Sequence, residues 1–148
     1  MGGRWMDDPI RKKGGKMSKE CKRKFLKCHV CGLVVESMDG TLPSIPMCCG
    51  EEMKELLPKQ EEEGREKHVP FGETAPDGQL LVKVGQGAEH PMTEEHHIVW
   101  IQYCYEGRSG RLYLHHSDKP LAHFCIKPVK GMKLMEYCNI HGLWEGKI

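Results

Sequence analysis

The sequence lacks a long apolar run, a large net charge and any internal repeat, and each absence excludes a class of protein. No stretch approaches the roughly 20 apolar residues of a membrane-spanning helix, and no apolar signal-peptide core follows the basic start. A net charge of +1 on 148 residues argues against a nucleic-acid-binding surface. We therefore expect a cytoplasmic protein that binds neither membrane nor nucleic acid.

Cysteine and histidine are the unusual residues in this composition, with eight and nine copies. In a reducing cytoplasm, cysteines of this kind are more often metal ligands than disulfide partners. A disulfide framework stays open, but the accompanying histidines and the lack of an export signal argue against it. Cys21, Cys104 and Cys125 match no ligand spacing. Because Cys104 and Cys125 lie in strand-like segments, we expect both to be buried small hydrophobic side chains.

Composition divides the chain into three parts. Residues 1–24 carry nine Lys/Arg against three acidic residues, which predicts a flexible basic extension, with the native start at either Met1 or Met17. Residues 25–59 form a cysteine-rich module, in which FLKC and GLVVES predict strands and EEMKELL has only a marginal helical propensity. Residues 60–148 begin with the acidic run QEEEGREK and form the larger domain.

The larger domain has a pattern of period two from residue 79 onward. Short segments rich in β-branched, aliphatic and aromatic residues alternate with Gly, Pro and Asp turns; they are QLLVKV, HIVWIQYCY, RLYLHH, LAHFCIK and MKLMEYC. GRSG, between the second and third segments, predicts a hairpin. No long segment shows a helical stripe, so the pattern predicts an all-β fold, either an antiparallel sandwich or a barrel.

Two motifs of the module, KCHVCG and PMCCG, supply four thiols: Cys28, Cys31, Cys48 and Cys49. Four thiolates suit a tetrahedral iron or zinc site. Neighbouring residues on a strand point to opposite faces, so Cys48 and Cys49 can bind one metal only from a tight turn, which Pro46 and Gly50 favour. A zinc ion that stabilises a small core and a one-electron iron are both compatible with this spacing.

A second group of potential ligands is spread along the larger domain: His68 in EKHVPF, His90, His96 and His97 in EHPMTEEHHI, and Cys138 and His141 in EYCNIHGLW. Several imidazoles and one thiolate suit iron, copper or zinc. In a strand, only one of the adjacent His96 and His97 should face inward. The remaining histidines match no ligand spacing and are predicted to lie at the surface or in strands: His29, His115, His116 and His123.

Taken in order, EKH, HPMxxxHxIxWI and CNxHGLW resemble the superoxide reductases. The preceding C-x-x-C…CC unit resembles the desulforedoxin-type module of the two-iron subgroup, desulfoferrodoxin. The resemblance spans residues 25–148. It implies a small desulforedoxin- or rubredoxin-like metal module followed by an immunoglobulin-like antiparallel β-sandwich, which carries the catalytic iron.

The resemblance also implies the ligands of that iron. His68, His90, His96 and His141 would be the four equatorial imidazoles of a square-pyramidal site, and Cys138 the axial thiolate. His96 is favoured over His97 because its six-residue step from His90 fits the family pattern. The four cysteines of the module would bind a second iron, or zinc in its place.

The activity implied by the resemblance is the one-electron reduction of superoxide, with two protons, to hydrogen peroxide. Five protein ligands leave one position open for the anion, and donation from the Cys138 thiolate raises the electron density at the iron. Lys67 would attract superoxide, and Glu66 would move into the open position after the reaction. The family resemblance further implies a rubredoxin-type electron donor and a homodimer.

Three other functions stay open on the sequence alone. A zinc-binding interaction module would be colourless and have no redox activity. An electron carrier that uses only the four-cysteine iron would tolerate the loss of His68 or Cys138. A superoxide dismutase would share the substrate but also release oxygen.

Overall fold

The computed structural model describes residues 21–60 and 68–148. Twelve β-strands lie within them: β1 Lys24–Lys27, β2 Val34–Ser37, β3 Met47–Cys48, β4 Glu51–Glu52, β5 Lys54–Leu56, β6 Pro70–Thr74, β7 Leu80–Val84, β8 Ile98–Tyr105, β9 Arg108–Tyr113, β10 Leu121–Phe124, β11 Lys133–Cys138 and β12 Gly142–Lys147. All strand pairs between them are antiparallel. Within the described ranges, no helix has the length and apolar character that crossing a bilayer requires.

The first five strands form the cysteine-rich module, as a sheet of order β2-β1-β5 and the short hairpin β3-β4. Its core contains Leu26, Cys28 and Met53. The marginal helical propensity of EEMKELL is overridden, because this segment forms β4 and β5. The physical reason is that β5 pairs with β1, with Glu55 opposite Leu26, while Met53 packs into the core. Long-range pairing thus overrides a weak local propensity.

The later strands form two sheets of order β10-β7-β6 and β12-β11-β8-β9. Their facing sides enclose an apolar core that includes Leu80, Val82, Ile101, Ala122 and Leu134. The predicted all-β fold is therefore confirmed, with the sandwich following the metal module. The predicted hairpin between β8 and β9 is also present, but its turn lies at Glu106 and Gly107, whose φ angles are 45° and 75°.

The two central strands of the four-stranded sheet, β8 and β11, are buried on both faces. Along β8, Ile101 and Tyr103 contact the sandwich core, whereas Trp100 packs against the module. The module supplies Phe25, whose ring lies 5.4 Å from that of Trp100, to a second apolar cluster. The cluster is completed by Met135, Tyr137 and Leu143. The partner sheet covers one face of this sheet and the module covers the other. The loops that carry the potential metal ligands therefore lie at the end of the sheet.

Polar contacts also join the module to the sandwich. Glu36 of β2 accepts hydrogen bonds from Arg111 of β9 and from Arg23, each at 2.8 Å. The Arg111 guanidinium also stacks over the ring of Trp100, 4.6 Å from its centroid. Because guanidinium hydrogen bonds and stacking act on the same group, Arg111 fixes the orientation of the module on β8 and β9.

Of the two cysteines expected to be buried, Cys104 is buried and Cys125 is not. Cys104 is buried, but it forms a disulfide with Cys21, with 5.9 Å between the Cα atoms. The alternation along β8 directs Cys104 to the face that the module covers, where the segment before β1 reaches it. Cys125 is exposed rather than buried, because it follows the last residue of β10 instead of lying inside the strand.

Candidate metal centres

Two turns bring the four cysteines of the module together. Cys28 follows β1, and the turn behind it closes through the Gly32 amide, which donates to the Cys28 carbonyl at 2.9 Å. At the second turn, Cys49 and Gly50 have φ angles of 52° and 77° between β3 and β4. This is the tight turn that the adjacent cysteine pair requires, and Gly50 adopts its left-handed conformation without steric cost.

The sulfur positions fit one tetrahedral ion. Cys31 Sγ lies 3.7 Å from Cys48 Sγ, and Cys48 Sγ lies 3.9 Å from Cys49 Sγ. All four sulfurs lie within 4.8 Å of one another. Metal–sulfur bonds of about 2.3 Å in a tetrahedron put the sulfurs about 3.8 Å apart. These distances do not distinguish iron from zinc, because both ions prefer tetrahedral coordination by four thiolates.

The protonation of these thiols depends on their neighbours. The Cys31 backbone N–H lowers the pKa of Cys28 to about 7, whereas hydrogen bonding to Cys28 and Cys31 raises the pKa of Cys48 to about 12. One thiolate therefore forms easily, and its charge disfavours the next. Four thiolates can coexist here only with a cation between them.

The second group comes from five points of the sandwich that meet at one end. His68 precedes β6, His90 lies between β7 and β8, His96 precedes β8, Cys138 ends β11, and His141 lies in the turn before β12. Their ligand atoms all lie within 4.8 Å of one another. Gly85, with a φ of 100°, helps to form this end, because a Cβ there would collide with the backbone of Ala88 and His90.

The four imidazoles form a square. Neighbouring ring centroids are 4.9 Å apart for His68–His90, 4.7 Å for His90–His96, 4.8 Å for His96–His141 and 4.6 Å for His68–His141. The centroids of His68 and His96 are 6.4 Å apart, close to the diagonal of about 6.7 Å expected of such a square and unlike a tetrahedron, in which all pairs are equal.

The nitrogen atoms point toward the middle of this square. His141 Nδ1 lies 2.9 Å from His68 Nε2 and 3.1 Å from His96 Nε2. Two nitrogens bound at right angles to one ion, at about 2.1 Å each, lie about 3.0 Å apart. The separations therefore fit a shared metal ion.

His90 is prepared to act as a metal ligand. Its Nδ1 lies 2.7 Å from the Pro91 carbonyl, so that Nδ1 carries the proton and Nε2 keeps its lone pair. His90 Nε2 is buried and has no hydrogen-bond partner within the described residues. Burial lowers the pKa of His90 to about 4, so the ring is neutral at physiological pH. A buried acceptor without a donor is accounted for if it binds a cation.

Cys138 occupies the buried side of the square. It has 0% exposure, whereas His96 is half-buried and His141 is exposed. Burial raises the pKa of the Cys138 thiol, and the N–H groups of His141 and Ile140 act in the opposite direction. The His141 amide donates to Cys138 Sγ at 3.4 Å. The sulfur is thus shielded from solvent, while the other side of the square is nearer the surface.

A buried carboxyl group lies on the core side of the same strand. Glu136, two residues before Cys138, has 0% exposure, and neither carboxyl oxygen has a hydrogen-bond partner in the described part of the chain. Burial raises its pKa well above the ordinary value. A neutral Glu136 places no second negative charge beside a Cys138 thiolate.

The structure brings His96 into the group and leaves His97 outside it. His97 Nδ1 lies 3.0 Å from the Thr93 carbonyl, and its ring faces His116 at 6.2 Å. His29, His115 and His123 are exposed and His116 is half-buried, all outside the group. Glu66 and Lys67 lie outside the described residues.

Asn139 is a contributor that sequence reasoning missed. Its side-chain oxygen accepts a hydrogen bond from the His97 amide, and its side-chain amide donates to the Glu95 carbonyl, each at 2.9 Å. Asn139 thus ties the loop that carries His96 to the turn between Cys138 and His141. Its position inside CNxHGLW was a signal, but the motif does not show which loop it would contact.

Comparison with known proteins agrees with this geometry. The family model described as Desulfoferrodoxin matches residues 60–147. A desulfoferrodoxin of Syntrophotalea carbinolica is 41% identical over 127 residues, which cover 85% of this chain and 97% of that protein. A superoxide reductase of Pyrococcus horikoshii is 40% identical over 99 residues, which cover 56% of this chain and 86% of that protein. The crystal structure of the superoxide reductase from Treponema pallidum is 28% identical, has a TM-score of 0.63, and is matched over 84% of this chain and 97% of that one. The chain therefore belongs to the desulfoferrodoxin family.

Proposed function

We propose that this protein is a superoxide reductase, which reduces superoxide by one electron to hydrogen peroxide at a non-haem iron. The observation that carries the proposal is the square of His68, His90, His96 and His141 with Cys138 on its buried side. The relatives named superoxide reductase provide independent support. In this proposal the four imidazoles and the Cys138 thiolate hold the catalytic iron, and the four cysteines of the module hold a second iron or a zinc.

When bound, the iron supplies one electron to superoxide, and two protons complete hydrogen peroxide. The chain provides the surroundings for this chemistry. Burial excludes water from Cys138, and the His141 amide stabilises negative charge on its sulfur. His141 and His96 lie toward the solvent, so a small anion and protons from water can reach the square from that side.

Lys67 and Glu66 are proposed to act on that same side. Lys67 directly precedes the ligand His68 in the sequence and would attract the superoxide anion. Glu66 would approach the open position after the reaction and help to release the product. Both roles follow from the family motif EKH.

The donor and the assembly are part of the proposal as well. We expect electrons from a rubredoxin-type protein, with the four-cysteine centre acting either as a structural site or as a relay. A homodimer is supported by the exposed apolar side chains of the module, among them Val30, Met47 and Leu57, and by its edge strands β2 and β5. Light scattering on the purified chain tests the dimer. The cytoplasmic location and the boundaries at residues 24 and 59 stay predictions.

The deciding experiment combines a metal count, an optical spectrum and product analysis. We expect two metal ions per chain and a thiolate-to-iron absorption band that disappears in Cys138→Ser, while the metal of the four-cysteine centre stays. Consumption of superoxide should yield one peroxide per superoxide, without oxygen. A colourless protein with two zinc ions would contradict the proposal, and oxygen release would indicate a dismutase.

Lys67→Ala tests the proposed attraction of superoxide. Removing one positive charge beside the site should slow the second-order reaction by about three- to tenfold at low ionic strength and flatten its salt dependence, because salt screens such charges within about 8–10 Å. Pulse radiolysis at several salt concentrations measures this. Lys130→Ala, which removes an exposed lysine outside the metal centres, is the control. An unchanged rate for Lys67→Ala at low salt would refute the role.

A further inference from the structure

A cavity of about 240 Å³ opens beside the Cys21–Cys104 disulfide. Both cysteines line it, together with Lys22, Arg23, Met38, Asp39, Gly107, Arg108 and Ser109. Pockets for drug-sized ligands measure about 300–1,000 Å³, so this one suits a smaller molecule. The disulfide belongs to neither metal centre, and the proposed superoxide chemistry does not use it.

The charges around this cavity favour an anion. Lys22, Arg23 and Arg108 line it, with Asp39 as the only acidic residue among the lining residues. Arg23 is already paired with Glu36. Asp39 accepts hydrogen bonds from Thr41 and Ser37. Lys22 and Arg108 form no ion pair within the described residues, so their charge is available to a ligand that enters.

The two cysteines of the disulfide differ in exposure. Cys104 is only 6% exposed, whereas Cys21 is half-buried. Thiol–disulfide exchange requires a thiolate to approach one sulfur along the S–S bond, and the leaving sulfur need not be exposed. The accessible target is therefore Cys21 Sγ, with Cys104 as the leaving group.

We propose that this cavity is a thiol–disulfide exchange site that takes a small anionic thiol and reduces the Cys21–Cys104 bond. The thiolate of the ligand attacks Cys21 Sγ and forms a mixed disulfide, while Cys104 leaves as a thiolate and takes up one proton. A second thiol of the same kind then attacks the ligand sulfur of the mixed disulfide. It releases the oxidised ligand as a disulfide and leaves Cys21 as a thiol, so two thiols are oxidised for each protein disulfide reduced.

The surrounding contacts allow the bond to open without loss of the fold. The apolar cluster around Phe25 and Trp100 and the pairing of Glu36 with Arg111 do not involve either cysteine. Reduction therefore frees residue 21 from β8 and leaves the module in place on the four-stranded sheet. The disulfide would thus attach the segment before β1 to β8 when it is oxidised and release it when an anionic thiol reduces it.

Three small thiols that differ in charge provide the test on the full-length protein. They are 2-mercaptoethanesulfonate, 2-mercaptoethanol and cysteamine, with rates normalised to the thiolate concentration of each. Quenching with iodoacetamide and peptide mapping measures the reduction of Cys21 and Cys104 separately from the metal-binding cysteines. We expect the anionic thiol to react about tenfold faster than the cationic one.

The preference should depend on the lining cations. In Lys22→Ala/Arg108→Ala the three rates should become nearly equal, whereas Lys127→Ala/Lys130→Ala, two exposed lysines outside the lining, should keep the preference. At limiting thiol, the mixed disulfide should map to Cys21. Equal rates in the parent protein, a mixed disulfide on Cys104, or a bond reduced only after denaturation would overturn the proposal. Circular dichroism and metal content show whether each variant is folded.

Discussion

His96 and His97 are neighbours in the chain, yet their rings lie in different surroundings. His96 points its Nε2 at His141 Nδ1, 3.1 Å away, inside the square of imidazoles. His97 turns its ring toward the Thr93 carbonyl and toward His116. The pair therefore offers a matched comparison, because both substitutions remove the same side chain from the same loop.

We predict that His96→Ala loses the metal of the second centre and His97→Ala keeps it. Removing a ligand should weaken binding by more than the roughly 10–100-fold that is typical of a supporting residue. Metal analysis after dialysis against a weak chelator measures this, and the four-cysteine centre serves as an internal reference. Equal losses in both variants would mean that the loop, rather than the His96 ring, is needed.

At the scale of elements, the second centre depends on the mutual position of two connections: residues 93–97 before β8 and residues 139–141 before β12. The Thr93 amide donates to the His96 carbonyl at 2.9 Å, which closes the first connection. Asn139 then joins the two through its bonds to His97 and Glu95. Because His96 and His141 lie on different connections, their separation is set by this link as well as by the sheet.

Asn139→Ala should therefore weaken metal binding at the second centre by about 10–100-fold without removing a ligand. Asn139→Asp is the informative control, because it keeps the oxygen that accepts from the His97 amide and loses the donor to the Glu95 carbonyl. We expect an intermediate affinity for it in a competitive titration with a chelator. Parent-like affinity of Asn139→Ala would show that the sheet alone positions the two ligands.

At the scale of the whole molecule, the module and the sandwich share one interface. The carboxylate of Glu36 lies between Arg23 and Arg111, and its side chain is 16% exposed. Burial alone would raise the pKa of Glu36, but hydrogen bonds from Arg23 and Arg111 outweigh it and lower the pKa below the ordinary value of 4.5. A carboxyl group whose pKa is lower in the folded protein than in the unfolded chain stabilises the folded protein at pH values above the unfolded pKa. This stabilisation is lost as the pH falls through the folded pKa.

We predict that Glu36→Gln lowers the free energy of unfolding by about 2 kcal/mol at pH 7 and by less at pH 3.5, below the ordinary pKa of 4.5. Urea unfolding followed by tryptophan fluorescence measures the difference at each pH. Glu55→Gln, which removes an exposed ion pair with Lys24 at 3.8 Å, is the control, since both variants respond alike to any acid-induced loss of metal. If the difference in unfolding free energy between Glu36→Gln and the parent protein stays constant down to pH 3.5, the effect comes from the shape of the side chain rather than from its charge.

The sequence by itself determined the residue types of both metal centres and five of the seven strands of the sandwich, all except β6 and β12. Period-two alternation reports burial on one face of a strand, and thiol and imidazole spacing reports donor chemistry, so both are local properties. The tight turn at Cys49 and Gly50 was foreseeable for the same reason, because two adjacent ligands of one metal cannot lie on a straight strand.

Only the tertiary structure decided where these pieces meet. The pairing of Cys21 with Cys104 and the strand conformation of EEMKELL depend on partners distant in the chain, which local propensity does not report. The square of imidazoles is likewise a product of the fold, since its corners come from three connections that the two sheets bring to one end: the segment before β6, the connection between β7 and β8, and the turn between β11 and β12. Spacing along the chain can name ligands, but distances across a sandwich are set by strand order and register, and these emerge only when the sheets pack.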